Sequence, residues 1–200
     1  MSTSFEEIAA SITERLGQCS IVAVIGSASF WHPESQDTCI CVGRELATIP
    51  SLSLITGGVE GVGETVGRSF HESRVIIGED PKVFHLLPHG YGSWDYGETM
   101  FAGSNMYERR EVLGRVSKLY LSIEGGPGTK HEATVAMSNG AVVIPVGRSG
   151  GYSGELYSTR SAAELIQLKH WHTIGSQEST TDSVGASVKQ IVSVFLRNDI

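Results

Sequence analysis

No run of lysine or arginine appears anywhere in this chain, and acidic residues outnumber basic ones, 22 against 15. A nucleic-acid surface needs a basic stripe to displace counterions, so a formal charge of −7 argues against DNA or RNA as a partner. No stretch approaches the roughly 20 apolar residues of a membrane span. The opening MSTSFEEIAASITERLG is acidic and amphipathic, unlike a secretory signal. A cytoplasmic protein with no membrane attachment is the expectation. Cysteine is scarce and odd in number: Cys19, Cys39 and Cys41. Cys39-x-Cys41 is too tight for an ordinary zinc pair and has no second pair to complete four ligands, so buried free thiols are expected. The histidines are scattered, and His170-x-His172 has no obvious acidic partner. Neither a metal site nor a cofactor is expected.

Glycine, at 24 residues, is abundant without a G-X-Y period, which makes the glycines local backbone devices. Helical and strand patterns alternate throughout. Phe5, Ile8, Ala9, Ile12 and Leu16 recur at helical spacing behind a Ser4 cap. SIVAVIG (20–26) is a continuous β-branched run, as in a strand buried on both faces. Pro33 is placed for the first turn of the next helix, which carries Leu46 and ends before Pro50. Further strands are read in SLSLITGG, KVFHLLP, KLYLSIEGG and AVVIPVG. Between them lie helical segments in GVGETVGRSFHES, in ERREVLGRVS and over 129–140, and the C-terminal stretch holding Val184, Val188, Ile191, Val192 and Phe195 is an amphipathic helix. The expectation is an α/β protein, a Rossmann-like parallel sheet with helices on both faces, forming a single domain over 1–200. The segment 176–183, SQESTTDS, reads as a polar loop. Glycines follow every one of the five strands, and in a parallel sheet those loops share one edge, where open α/β folds bind ligands.

Two loops carry the chemistry. In YLSIEGGPGTKHEA (120–133) a helix starting near Thr129 leaves its first N–H groups unpaired, and glycines let an anion approach them. The same T-x-x-E spacing also fits a plain turn with Thr129 as N-cap and Glu132 closing a capping box, so the motif alone leaves both open. TGGVEGVGE (56–64) repeats the glycine logic, and NMYERREVL (105–113) brings Arg109 and Arg110. These two point about 100° apart on a helix, so one can face the crevice and the other solvent.

With VIGSAS at the first strand, TGGVEG after the second and MYERR upstream of GGPGTKHEA, residues 20–157 resemble the Lonely-guy phosphoribohydrolases. Those enzymes were long taken for lysine decarboxylases and share a fold with molybdenum-cofactor carrier proteins. The resemblance implies a nucleotide-binding hydrolase that splits the N-glycosidic bond of a nucleoside 5′-monophosphate, releasing free base and ribose 5-phosphate. It implies Arg109 and Glu132 as the catalytic pair, with Gly26, Ser27, Gly57, Gly58, Gly125, Gly126, Gly128 and Thr129 around the phosphate. It further implies a homodimer. The alternative is a carrier or sensor of a phosphorylated ligand, such as the molybdenum cofactor or a nucleotide signal, without turnover. Decarboxylation needs a Schiff-base lysine, and the crevice loops offer only Lys130. The chain departs from the family pattern P-G-G-x-G-T-x-x-E at Glu124, and Glu64 stands where a glycine is usual. The loop 88–103 is long and holds Tyr91, Trp94 and Tyr96, candidates for stacking on a base.

Overall fold

An apolar strand with no polar face is stable only where helices cover both sides of its sheet, and the chain folds accordingly. The computed structural model describes residues 4–17, 20–159 and 168–197; Cys19 lies outside the described residues. Strands β1 (Ser20–Gly26), β2 (Leu52–Thr56), β3 (Val83–Leu87), β4 (Glu98–Phe101), β5 (Leu119–Ile123) and β6 (Val142–Val146) form one sheet in the order β4-β3-β2-β1-β5-β6. Every pairing is parallel. Successive side chains alternate between two cores, so Val22 and Val24 enter one and Ala23 and Ile25 the other. The first core is closed by α2 (Ser35–Ala47), α3 (Val62–Ile77), α7 (Leu168–Gly175) and α8 (Thr181–Arg197). The second is closed by α1 (Phe5–Leu16), α4 (Met106–Leu113), α5 (Pro127–Ser138) and α6 (Gly151–Thr159). The Rossmann-like parallel architecture expected from the strand pattern is thus the one observed.

The strand order carries a functional consequence. The chain steps outward from β1 to β4 on one side, then returns to begin β5 on the other side of β1. The carboxyl ends of β1 and β5 therefore splay their loops in opposite directions and leave a crevice between them.

Several boundaries differ from the expectation. The 88–103 segment contains the edge strand β4, so the strands read as fourth and fifth are β5 and β6. Helix α3 runs on to Ile77, and α2 starts at Ser35, leaving Pro33 just outside its first turn. The polar stretch at 176–183 is mostly structured: a turn closes from Ser179 N–H to the Ser176 carbonyl (3.3 Å), and α8 has begun by Thr181. Ser4 caps α1 as read, its hydroxyl accepting from Glu7 N–H while the Glu7 carboxylate accepts from Ser4 N–H (2.8 Å). Cys39 and Cys41 are buried free thiols, both pushed up by burial.

On β3, beside Thr56 of β2, lies a buried histidine that braces the loop above it. The Tyr96 carbonyl can only accept, so the proton of His85 sits on Nε2 (3.2 Å), and Nδ1 accepts from the Thr56 hydroxyl (3.0 Å). The Thr56 oxygen in turn accepts from Gly58 N–H (3.1 Å). Burial, with Arg68 nearby and partly offset by the Tyr96 carbonyl, lowers the imidazole from 6.5 to about 4. A depressed histidine contributes stability that is complete above the unfolded value of 6.5 and is lost as pH falls toward 4, because the unfolded chain takes up the proton first. The full contribution is about 3 kcal/mol. Urea unfolding at pH 7.5 and pH 4 checks it: the wild type should lose up to about that much more than His85→Asn, which has nothing to titrate there. Parallel losses in the two proteins would refute the assignment.

Candidate functional site

The β1 and β5 loops, with the start of α5 and the inner face of α4, enclose about 190 Å³ at the point where the strand order reverses. Helix α4 is capped by Asn105, whose side chain accepts from Glu108 N–H (3.0 Å). Arg109, Val112 and Leu113 share its buried face, being three and four residues apart. Arg109 is thereby carried inward to 2 % exposure. It meets Glu132, itself 5 % exposed, through a 2.5 Å bond from Nη1 to Oε1. The Arg109 Nε is buried and has no hydrogen-bond partner among the described residues.

Glu132 sits in the second turn of α5, which starts at Pro127 with Gly126 as N-cap and no side-chain cap. The capping-box reading of T-x-x-E is therefore set aside: Thr129 is already the third helical residue, and Glu132 turns to Arg109 instead of the backbone. A proline in the first position loses nothing by lacking an N–H. Among the described residues no partner is found for the N–H groups of Gly128 and Thr129, which are left as the donors of the first turn, since Lys130 N–H already reaches the Gly126 carbonyl (2.9 Å). Burial raises the Glu132 carboxyl and lowers Arg109, while the attraction between them opposes both shifts.

Arg110 also belongs to this wall, where the sequence allowed only one of the two arginines. Its guanidinium lies against Gly128, where a β-carbon would stand 2.8 Å from Nη2. Its Nε is buried without a hydrogen-bond partner. Among the described residues no ion pair is found for Arg110. Gly57 plays the matching part for Arg109, a β-carbon there coming within 2.7 Å of Nη1.

Gly26, Ser27, Gly57, Gly126, Gly128 and Thr129 all line the crevice, together with Arg109 and Glu132. Gly58 and Gly125 stand behind that wall; Gly125 has φ +97, and its absent β-carbon leaves room for the Thr129 side chain. The Ser27 hydroxyl is committed to the Glu124 carboxylate. That acid does not face the crevice: fully buried, it also accepts from Trp31 N–H (3.0 Å) and His32 N–H (2.9 Å). Glu64 likewise turns aside to Arg68 (2.6 Å). Both departures from the family pattern thus direct their carboxylates away from the crevice.

The aromatic loop lies elsewhere than expected. Tyr96 is buried, its hydroxyl donating to the Glu64 carbonyl (3.0 Å) and its ring under Arg68. Trp94 donates its indole N–H to the Gly58 carbonyl (2.7 Å), holding the β2 loop from behind. Only Tyr91 is free, half exposed on a shallow groove that adjoins the crevice at Ala28 and Val59. Trp31 and Arg110 are crevice residues that sequence reasoning missed, and Trp31 had no motif to announce it.

No functionally curated protein is similar enough in sequence to match this chain. Among solved structures, the molybdenum-cofactor-binding protein of the phototrophic bacterium Rippkaea orientalis superposes with a TM-score of 0.61 at 18 % identity, covering 88 % of this chain and 99 % of that one. The molybdenum-cofactor carrier protein of Chlamydomonas reinhardtii gives 0.59 at 18 % identity with the same coverage, 88 % and 99 %. The structural-genomics target TM1055 gives 0.59 at 24 % identity, covering 76 % and 88 %. At such identities the likeness is one of fold. A sequence model of the SLOG cluster4 family matches residues 19–174. No helix among the described residues is long and apolar enough to cross a membrane. By the extent of that match, the chain belongs to the SLOG cluster4 family.

Proposed function

We propose that the crevice binds a nucleoside 5′-monophosphate and hydrolyses its N-glycosidic bond. The observation that carries the reading is the buried Arg109–Glu132 pair on a wall shared with the unpaired guanidinium of Arg110 and the open first turn of α5. A phosphate resting on the N–H groups of Gly128 and Thr129 would meet helix dipole and Arg110 together. Glu132 lies one turn further along the same face as Gly128, where the attached sugar would extend. An ionised Glu132 can stabilise the oxocarbenium-like charge at C1′, or take a proton from the water whose oxygen bonds to C1′. The base leaves with the electrons of the broken bond and picks up a proton. Arg109 orients the carboxylate and favours its ionised form against the opposing effect of burial.

Product analysis tests this. Purified protein with a panel of purine, pyrimidine and modified adenine monophosphates should release free base and ribose 5-phosphate from at least one. Folded protein that turns over none would remove the enzyme reading. The pH profile provides a second check. Activity should fall on the acid side as Glu132 is protonated, with a midpoint above its ordinary 4.5 because burial raises the group. Arg110 pulls that carboxyl down, so Arg110→Ala should move the acid limb to still higher pH. An unmoved limb would place Arg110 away from the reacting carboxylate.

The second reading is a carrier without turnover. It is favoured by the two solved neighbours described as binding or carrying molybdenum cofactor, each covered over 99 % of its length. A pterin phosphate would use the same helix start and Arg110. The homodimer implied by the resemblance belongs to the proposal too; light scattering should give about twice 21.4 kDa.

A further inference from the structure

The geometry points to Trp31 as the stacking surface for the flat heterocycle of the ligand, with Glu124 as the residue that positions it; this rests on the phosphorylated-heterocycle reading above. Trp31 is 58 % exposed, so much of it is open to a ligand. Trp31 lines the crevice, and its six-membered ring lies over Gly126 and Gly151. A β-carbon at those positions would come within 3.2 and 3.0 Å of the indole, so a side chain at either would crowd the ring where it now rests. The enclosed volume of about 190 Å³ is below the roughly 300–1,000 Å³ of ordinary ligand pockets. It suits the sugar-phosphate end and leaves the heterocycle at the rim, where the indole stands.

The backbone that carries the ring is held in place. Glu124 has φ +53, a left-handed conformation that non-glycine residues seldom adopt and that proline cannot. Its N–H donates to the Ser149 hydroxyl (2.7 Å), and its carbonyl accepts from both N–H (3.0 Å) and hydroxyl (2.7 Å) of Ser153. So anchored, its carboxylate takes the hydroxyl of Ser27 and the N–H groups of Trp31 and His32. A buried carboxylate with several donors is a firm support. Tyr91, the rival platform on the adjoining groove, has no comparable anchor.

Calorimetric titration of the full chain with adenosine 5′-monophosphate and with ribose 5-phosphate separates the roles. Stacking on an aromatic side chain corresponds to roughly tenfold or more in affinity on alanine substitution. Trp31→Ala should weaken adenosine 5′-monophosphate by about that factor and leave ribose 5-phosphate within about twofold, while Trp31→Phe keeps most of the nucleotide affinity. A pterin monophosphate in the same series tells which heterocycle the ring fits, by the larger loss. If the wild type binds both adenosine 5′-monophosphate and ribose 5-phosphate and Trp31→Ala weakens neither or both equally, the stacking role is overturned and the phosphate site stands. A loss confined to Tyr91→Ala would also overturn it. If the wild type binds none of the three, the ligand reading itself fails and takes the stacking role with it.

Discussion

On the proposed hydrolase reading, Glu132→Gln should lower turnover by about 10²–10⁴-fold while leaving the affinity for ribose 5-phosphate within about threefold. The amide keeps the shape and can still accept from Arg109 Nη1, so the wall remains intact. What it loses is the negative charge facing C1′ and the capacity to take a proton from water. The phosphate, held by the first turn of α5 and Arg110, should not notice. Single-turnover release of base, followed by chromatography, measures the first quantity, and calorimetry with ribose 5-phosphate the second. A variant that retains more than about a tenth of the wild-type rate would deprive Glu132 of its chemical role. Equal loss of rate and phosphate affinity would instead mark it as part of the scaffold.

The second large effect concerns stability. Arg109→Leu removes the counter-charge from a carboxylate only 5 % exposed to solvent, and breaking such a pair from one side typically costs about 3–5 kcal/mol. Without the arginine, burial of Glu132 is opposed only by Arg110 and His131 and drives its pKa further up. The sign of the pH dependence follows. A carboxyl whose folded value lies above its unfolded one binds more protons in the native state, so stability rises as pH falls through the folded value. The variant should therefore be most destabilised at neutral pH and recover toward pH 5. Arg109→Leu/Glu132→Leu should regain most of the loss, since two apolar groups leave no charge stranded. Denaturant unfolding of the four proteins of this cycle at pH 7.5 and pH 5.5 measures both trends. A loss below about 1 kcal/mol, as for an exposed pair, would mean that the two side chains do not meet in a dry wall.

How much of this was legible in the sequence depends on the kind of signal each residue gives. The five strands with continuous apolar runs could be read because burial on both faces leaves no polar alternation to misjudge. Strand β4 could not: Glu98-Thr99-Met100-Phe101 is short, and a charged residue on an edge strand looks like loop. The start of α5 was placed two residues late because Thr129 resembles a cap, whereas the fixed φ of Pro127 begins the helix. Arg109 comes from the family resemblance; its spacing of three and four residues from Val112 and Leu113 is what turns it inward in the structure. Arg110 does not follow, since a 100° rotation allows only one of two adjacent arginines to start out facing the crevice, whereas its long side chain reaches round to Gly128. Glu124 looked like an acid beside a phosphate because sequence shows a charge and not its direction; its donors, Ser27, Trp31 and His32, come from a loop some ninety residues away. Trp94 and Tyr96 advertised flat rings, but the indole N–H of one and the hydroxyl of the other go to backbone carbonyls behind the loops.

A crystal structure of the protein with ribose 5-phosphate tests the central claim most directly. The account predicts the phosphate against the N–H groups of Gly128 and Thr129 and the guanidinium of Arg110, with C1′ toward Glu132. A ligand bound away from α5, leaving Arg110 and Glu132 untouched at saturating concentration, would contradict it.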